Sequence, residues 1–318
     1  MIGRIDPELR AALEGRDPRS GVDWDDLPGY RARAAAAITS SRPPGAHRDD
    51  VGRHDLSFAG VDGRAVPARL YRPEQADGGP LPALLWFHGG GFVSGGLERD
   101  DLFLEQLCAE VGCAAVAVDY RLAPEWPFPA ALDDCVEAFD FVAGQAAELG
   151  VDPSRIAVGG RSAGGGLAAA CSLRRRDLGR PRAAFQLLLY PMLDDRLDTA
   201  SSHEIVDPRT WDRASSTRAW SAYLGEAGDG EKSAYGAPGR AEDLAGLPPT
   251  YLAVGELEVV RDEAVAFGHR LLLAGVATEL HVFPGAYHGW DLYAPAATSS
   301  KRLIDEAFLA LRRAFGGS

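Results

Sequence analysis

Residues 155–166 read R-I-A-V-G-G-R-S-A-G-G-G, and L-A-A-A-C-S-L-R-R-R follows over 167–176. A short apolar run ends in glycines, and a run of helix-forming residues begins. Between them, Gly160-Arg161-Ser162-Ala163-Gly164 fits the pattern G-x-S-x-G. The five letters alone are weak, because the chain has 37 Gly in 318 residues and a flexible glycine loop would look the same. The setting is more specific. A serine on a sharp strand-to-helix turn presents its hydroxyl at the top of a sheet, ready to act as a nucleophile. In so tight a turn, side chains at positions 160 and 164 would collide with the neighbouring strand and helix, which accounts for both glycines.

The same alternation extends outward. Apolar runs at 82–89, 113–120, 155–160, 183–190, 250–255 and 278–285 read as strands buried on both faces. Between them lie helix-sized segments at 99–111, 163–177, 261–275 and 300–315. In 130–149, Leu132, Val136, Phe139, Val142, Ala146 and Leu149 recur at spacings of three and four, on one helical face. Strand–helix–strand alternation predicts an α/β fold with a mostly parallel central sheet flanked by helices. Residues 53–72 contain two alternating runs around a turn, which predicts an antiparallel hairpin at the sheet edge. Residues 1–50 and 191–247 stand outside the alternation. Both are expected to be largely helical, the second with a helix near 211–224, and to cover the C-terminal edge of the sheet, where ligands bind in open α/β folds.

Composition sets limits. Hydrophobic residues make up 46% and charged residues 25%, as in globular proteins. A net charge of -13 disfavours nucleic acid or an anionic membrane as a partner. No apolar stretch reaches 18 residues, and residues 1–17 carry no apolar signal-like segment, so a cytoplasmic protein is expected. Cys108, Cys113, Cys135 and Cys171 show no C-x-x-C spacing and read as buried free thiols.

Two further features converge on Ser162. His88-Gly89-Gly90-Gly91-Phe92 follows the strand ALLWF, and glycines there let the backbone approach a substrate. The N–H groups of Gly90 and Gly91, with that of Ala163, are candidate donors to a developing oxyanion. A phosphate loop would need G-x-x-x-x-G-K-[ST], which is absent. Of the seven histidines, His288 lies in a loop just past a strand, in P-G-A-Y-H-G-W, and is the candidate base. The acid should follow the strand TYLAVG. Glu256, Glu258, Asp262 and Glu263 are all available there, and spacing does not choose among them.

The segments HGGGF (88–92), DYRLAPEWPFPAALDD (119–134), GRSAGG (160–165), GELEVVRDE (255–263) and PGAYHGWD (284–291) stand in the order and form of one family. Over roughly 55–315 the chain resembles the bacterial hormone-sensitive-lipase-like esterases, which are α/β-hydrolases with a helical cap. The resemblance implies an N-terminal cap segment at 1–50 and an α/β-hydrolase catalytic domain at 51–318, with a cap insertion at about 191–247. It places the acid at Glu258, where most members carry Asp. A subgroup uses Glu and shows a cap pattern like Trp211, Trp220 and Tyr223-Leu224-Gly225. It makes Asp262 structural, as it does Asp119, Arg121 and Glu125 of the DYRLAPE segment. The implied activity is a serine carboxylesterase for a small-molecule, short-acyl ester. Ser162 is then the nucleophile, His288 the base, Gly90, Gly91 and Ala163 the oxyanion donors, and Gly89, Phe92 and Trp290 binding residues. No metal or organic cofactor is implied, and a homodimer is compatible. The same machinery serves amides, carbamates or lactones. A non-catalytic small-molecule receptor on the same fold is the rival from another class, although such receptors lose the histidine. Arg161, Trp126 and Trp290 depart from the family pattern. Arg161 is expected to pair with an acidic residue; the alternative is that it faces the pocket and favours an anion.

Overall fold

The computed structural model describes residues 2–17, 21–40, 42, 45–75, 79–225 and 234–317. Among these, eight strands form one sheet in the order β1-β2-β4-β3-β5-β6-β7-β8. They are β1 (Val51–Ala59), β2 (Ala65–Pro73), β3 (Leu81–Phe87), β4 (Ala114–Val118), β5 (Val151–Arg161), β6 (Gln186–Leu189), β7 (Thr250–Leu257) and β8 (Thr278–Tyr287). The hairpin of β1 and β2 is antiparallel and pairs antiparallel with β4; the other neighbours run parallel. Every residue of β4 and β6 is buried, as continuous apolar runs require when helices cover both faces.

The helices are α1 (Pro7–Glu14), α2 (Leu27–Ser40), α3 (Asp101–Val111), α4 (Ala130–Gly144), α5 (Ala146–Leu149), α6 (Ala163–Asp177), α7 (Ala200–Glu204), α8 (Arg213–Leu224), α9 (Arg261–Leu273), α10 (Trp290–Tyr293) and α11 (Thr298–Ala314). The single helix expected over 130–149 is broken at Gln145, and left-handed Gly150 ends the second piece. The segment expected to begin a helix at 99 opens instead with a 3-10 turn over Leu97–Asp100. Leu303, Ala307, Phe308 and Leu311 of α11 are fully buried and lie on one helical face. Burial of each leucine and of the phenylalanine contributes roughly 1.5–3 kcal/mol.

The order of the strands positions the site. From β3 the chain steps through α3 to β4 on one side, and from β4 through α4 across to β5 on the other. Right-handed crossovers in opposite directions put α3 and α4 on opposite faces of the sheet. The direction of winding therefore reverses between β3 and β5, and the crevice at such a reversal is where open α/β sheets bind ligands. Phe87 and Gly160 lie opposite each other there, so the loops after both strands open into one crevice.

The segments outside the alternation dock onto that edge. Asp6 N–H donates to the Gly285 carbonyl at 3.1 Å, and the Tyr287 hydroxyl donates to the Leu9 carbonyl at 3.3 Å, joining α1 to the end of β8. From α2, Arg31 donates to the Val93 carbonyl at 2.7 Å and the Ala123 carbonyl at 2.8 Å, and grips both oxygens of Glu125 at 2.8 Å. In 191–247, α7, α8 and a 3-10 turn at Pro238–Arg240 are described, while residues 226–233 lie outside the described residues. No described helix is long and apolar enough to cross a membrane. The four cysteines are buried and unpaired.

Candidate active site

Strand β5 ends at Arg161, α6 begins at Ala163, and Ser162 makes the whole turn. Its backbone sits at φ 55°, ψ −123°, a conformation that costs a non-glycine residue of order 1–3 kcal/mol. Tertiary bonds hold it: its N–H donates to the Leu189 carbonyl, and its carbonyl accepts from Gly166 and Met192. The glycines flanking the turn have no room for a side chain. A Cβ at Gly160 would lie 2.4 Å from the Gly164 carbonyl carbon, and one at Gly164 would lie 2.0 Å from the Phe87 carbonyl oxygen. The α6 N-terminus thus presses against the end of β3. Ala163 stands at its first position, where the N–H has no partner within the helix.

Across the crevice, the loop after β3 packs on Ser162. A Cβ at Gly89 would stand 3.4 Å from the Ser162 Cβ. The Gly90 carbonyl accepts from the Val93 and Ser94 N–H groups, folding Gly90–Ser94 into a tight turn. Gly91 is left-handed (φ 62°), and its missing side chain is filled by Trp211, whose Cη2 would lie 2.3 Å from a Cβ there. Phe92 is also left-handed and fully buried, with its ring stacked on Tyr223 at 4.0 Å and tilted against Trp220 at 5.1 Å. His88 points away from the crevice. Its Nδ1 donates to the Gly89 carbonyl at 2.9 Å and its ring stacks on Tyr120, whose hydroxyl donates to the His88 carbonyl at 2.7 Å. Burial lowers the His88 pKa to about 4, so it stays neutral near pH 7. The DYRLAPE segment holds this loop from behind. Arg121 pairs with the buried Asp134, Glu125 with Arg31, and the Ala123 N–H donates to the Phe92 carbonyl.

From the loop after β8, His288 reaches Ser162, with Nε2 to Oγ 2.8 Å. Its Nδ1 stands 2.7 Å from Glu258 Oε2, and the other Glu258 oxygen accepts the Gly255 N–H at 2.6 Å. A carboxylate only accepts, so Nδ1 carries the proton and the neutral ring leaves Nε2 free to accept from the serine hydroxyl. Ser162 and His288 are 7% and 8% exposed, while Glu258 has no exposure. That burial pushes the Glu258 carboxyl up, and His288 and the Gly255 N–H pull it back.

The other three carboxylates of 255–263 are engaged elsewhere. Glu256 holds the Gly285 N–H and Arg4. Asp262 accepts the Ser201 N–H at 2.7 Å and Arg261. Glu263 accepts the Leu193 N–H at 2.8 Å, and burial pushes its carboxyl well up.

Two aromatic side chains that the sequence did not single out for the site join it. Tyr190, just past β6, meets the His288 ring edge-on at 5.0 Å. Trp211, from the 191–247 region, lies 6.3 Å from the His288 ring and covers Gly91. Only the position of Tyr190 at the end of the buried run AAFQLLLY could have signalled it. Trp290 stands further back, fully buried against Tyr190 and Phe283. Arg161 is 2% exposed and sits between Asp100, at 3.0 Å, and Asp291, at 3.6 Å, so of its two readings the paired one matches the structure. The arrangement supplies a hydroxyl, an imidazole hydrogen-bonded to it, a buried carboxylate orienting the imidazole, and the first N–H of α6 next to the serine in the chain, a set suited to acyl transfer.

The family model described as alpha/beta hydrolase fold matches residues 84–292. The esterase LipI of Mycobacterium tuberculosis is 39% identical over 257 residues, covering 79% of this chain and 80% of its own length. The ethyl acetate hydrolase of Pseudomonas putida is 32% identical over 292 residues, covering 89% and 91%. A solved bacterial heroin esterase superposes with a TM-score of 0.91 at 45% identity over 99% of both chains.

Proposed function

The chain belongs to the alpha/beta hydrolase fold family, and from that premise we propose that it is a serine carboxylesterase of small, short-acyl esters working through Ser162, His288 and Glu258. The observation that carries the reading is the continuous hydrogen-bonded path from the Ser162 hydroxyl through His288 to the buried Glu258 carboxylate.

The Ser162 Oγ attacks the ester carbonyl carbon while His288 Nε2 takes its proton. The carbonyl oxygen becomes an oxyanion, held by the N–H groups of Ala163, Gly90 and Gly91. Each such donor is worth ~10²–10³ in rate. Glu258 keeps the proton on Nδ1 and stabilises the imidazolium. The tetrahedral intermediate collapses, His288 gives its proton to the departing alkoxide, and the alcohol leaves. A water, its proton taken by His288, then attacks the acyl carbon; as the acid leaves, His288 returns that proton to Ser162 Oγ. Burial of Glu258 strengthens its hold on the imidazolium, because the surrounding medium screens little.

Residues 1–50 and 191–247 form the cap in this reading. Trp211 closes the space above Gly91, Gly89 lets the loop lie against Ser162, and Phe92 fixes that loop to α8. Trp290 shapes the pocket indirectly, through Tyr190. The near-complete burial of Ser162 and the ethyl acetate hydrolase among the relatives favour short acyl groups. Glu258 in the acid position supports membership of the Glu-bearing subgroup. The four buried thiols favour a cytoplasmic protein.

The test is a chain-length series of p-nitrophenyl esters with wild type and Ser162→Ala. Turnover on acetate and butyrate, falling with longer chains and absent in Ser162→Ala, is expected. Wild-type protein that shows neither a burst nor turnover on any of them refutes the proposal.

A further inference from the structure

A permanent charge lies buried one residue from the nucleophile. Arg161 is 2% exposed, and its guanidinium carbon lies 4.6 Å from the Phe103 ring centre and 5.5 Å from that of Trp86. It stands between two carboxylates from different elements. Asp100 closes the 3-10 turn that follows the glycine loop, and its other oxygen accepts the Trp86 indole N–H at 2.8 Å. Asp291 lies on α10, three residues after His288, and its other oxygen accepts the Tyr190 hydroxyl at 2.8 Å. Tyr190 in turn touches the His288 ring. The contacts of Arg161 are charge pairs rather than aligned hydrogen bonds: Arg161 Nε and Asp100 Oδ1 have no hydrogen-bond partner among the described residues.

Such a cluster is poor value as a stabiliser. Desolvating a guanidinium and two carboxylates costs several kcal/mol per ion, and apolar residues of similar volume would serve a core as well or better. Its position has a different consequence. The cation joins the strand that carries Ser162, the segment leading out of the glycine loop, and the helix just beyond His288. It also leaves the local charge at minus one. Without it, Asp100 and Asp291 would stand uncompensated in a dry region beside the histidine.

We propose that Arg161 is a positioning residue for the nucleophile–histidine pair, acting through the Asp100 and Asp291–Tyr190 contacts; this rests on the ester-hydrolase reading above. Arg161 fixes the separation of Ser162 and His288 and offsets part of the Asp100 and Asp291 charge behind Tyr190. The groups facing His288 are Glu258 from the loop after β7, Ser162 from the β5 turn, Tyr190 from the end of β6 and Trp211 from the 191–247 region, with Asp291 and Arg161 behind Tyr190. Removing the Arg161 cation takes the local charge from minus one to minus two. That charge favours the imidazolium, so a higher pH is needed to obtain the neutral base.

The experiment measures kcat, KM and the pH profile of p-nitrophenyl butyrate hydrolysis for wild type, Arg161→Lys, Arg161→Gln, Asp291→Asn and the Arg161→Gln/Asp291→Asn pair. The rate of Ser162 phosphonylation by a fluorophosphonate is followed over the same pH range. Arg161→Gln is expected to lose about 10²-fold in kcat with KM changed less than about threefold. Its acidic limb should move up by about half a pH unit or more. Asp291→Asn alone should move the limb down, the pair should return it toward wild type, and Arg161→Lys should fall between. Arg161→Gln with wild-type kcat and pH limb overturns the proposal. If Arg161→Gln does not fold, Asp291→Asn decides: an unmoved limb overturns the proposal and a lowered one supports it. Wild-type protein that reacts with the fluorophosphonate but hydrolyses no ester sinks the esterase reading alone, and the phosphonylation profiles then test Arg161. Wild-type protein that reacts with neither sinks both.

Discussion

Replacing Glu258 by Gln changes one oxygen to an NH2 group and keeps the volume. In the structure both oxygens accept, one from Gly255 N–H at 2.6 Å and the other from His288 Nδ1 at 2.7 Å. An amide has only one accepting oxygen, so Gln can satisfy one donor and must point its NH2 at the other. If the oxygen faces Gly255, the NH2 donates to Nδ1. The ring proton then moves to Nε2, and Ser162 faces a nitrogen that cannot take its proton. If the oxygen faces His288, the Gly255 N–H is buried against a donor, at a cost of ~1–3 kcal/mol in stability. Either way the imidazolium loses its negative partner. The wrong tautomer in a Ser-His-acid arrangement costs ~10⁴ in kcat, equivalent to about 5.5 kcal/mol of barrier. Glu258→Gln should therefore fold, bind ester with nearly unchanged KM, and turn over ~10⁴-fold more slowly. Asp262→Asn should keep its kcat, because Asp262 contacts Ser201 and Arg261 rather than His288. Steady-state kinetics on p-nitrophenyl butyrate, with circular dichroism as a fold control, measure both. A Glu258→Gln enzyme within tenfold of wild type, or an equal loss in Asp262→Asn, refutes the assignment.

Gly91→Ala places a Cβ about where the Trp211 ring edge lies and forces a left-handed alanine; kcat should fall by ~10² or more, and pairing it with Trp211→Ala should recover part of the loss in stopped-flow assays. Arg121→Ala leaves the fully buried Asp134 carboxylate without its cation, and urea denaturation should show a loss of about 3–5 kcal/mol. Burial pushes the Glu263 carboxyl well above its ordinary value of about 4.3, which the unfolded chain keeps. Above that pH the unfolded chain binds fewer protons than the native one, so this group makes stability fall as pH rises, by up to about 1.4 kcal/mol per pH unit. Glu263→Gln keeps an acceptor for Leu193 and should flatten the change in urea-derived stability between pH 5 and pH 8; an unchanged slope would count against the upward push on this carboxyl.

Local pattern carried much of the architecture. The apolar runs at 113–120 and 183–190 contain β4 and β6, and those at 82–89 and 250–255 overlap β3 and β7, because a strand covered on both faces needs side chains that tolerate burial on both. Ser162 was legible as a candidate because a tight strand-to-helix turn leaves a local mark, glycines where the chain crowds itself. The break at Gln145 was not legible, since the apolar face continues through it.

The choice among four carboxylates in 255–263 lay beyond sequence spacing. All four lie at or just past the end of β7, and only the approach of the β8 loop brings His288 to Glu258 while Gly285, Ser201 and Leu193 take the other three. Arg161 is the same kind of case. Its partners are 61 residues before it and 130 after it (161 − 100 and 291 − 161), and no periodicity links them. Trp211 covers Gly91 from 120 residues away (211 − 91). The sequence by itself determined the strands, the turns and the residue types available at each loop, because these follow from neighbours along the chain. Only the tertiary structure decided which of those residues meet, because the crossovers that bring the loops to one crevice are set by the packing of the whole sheet.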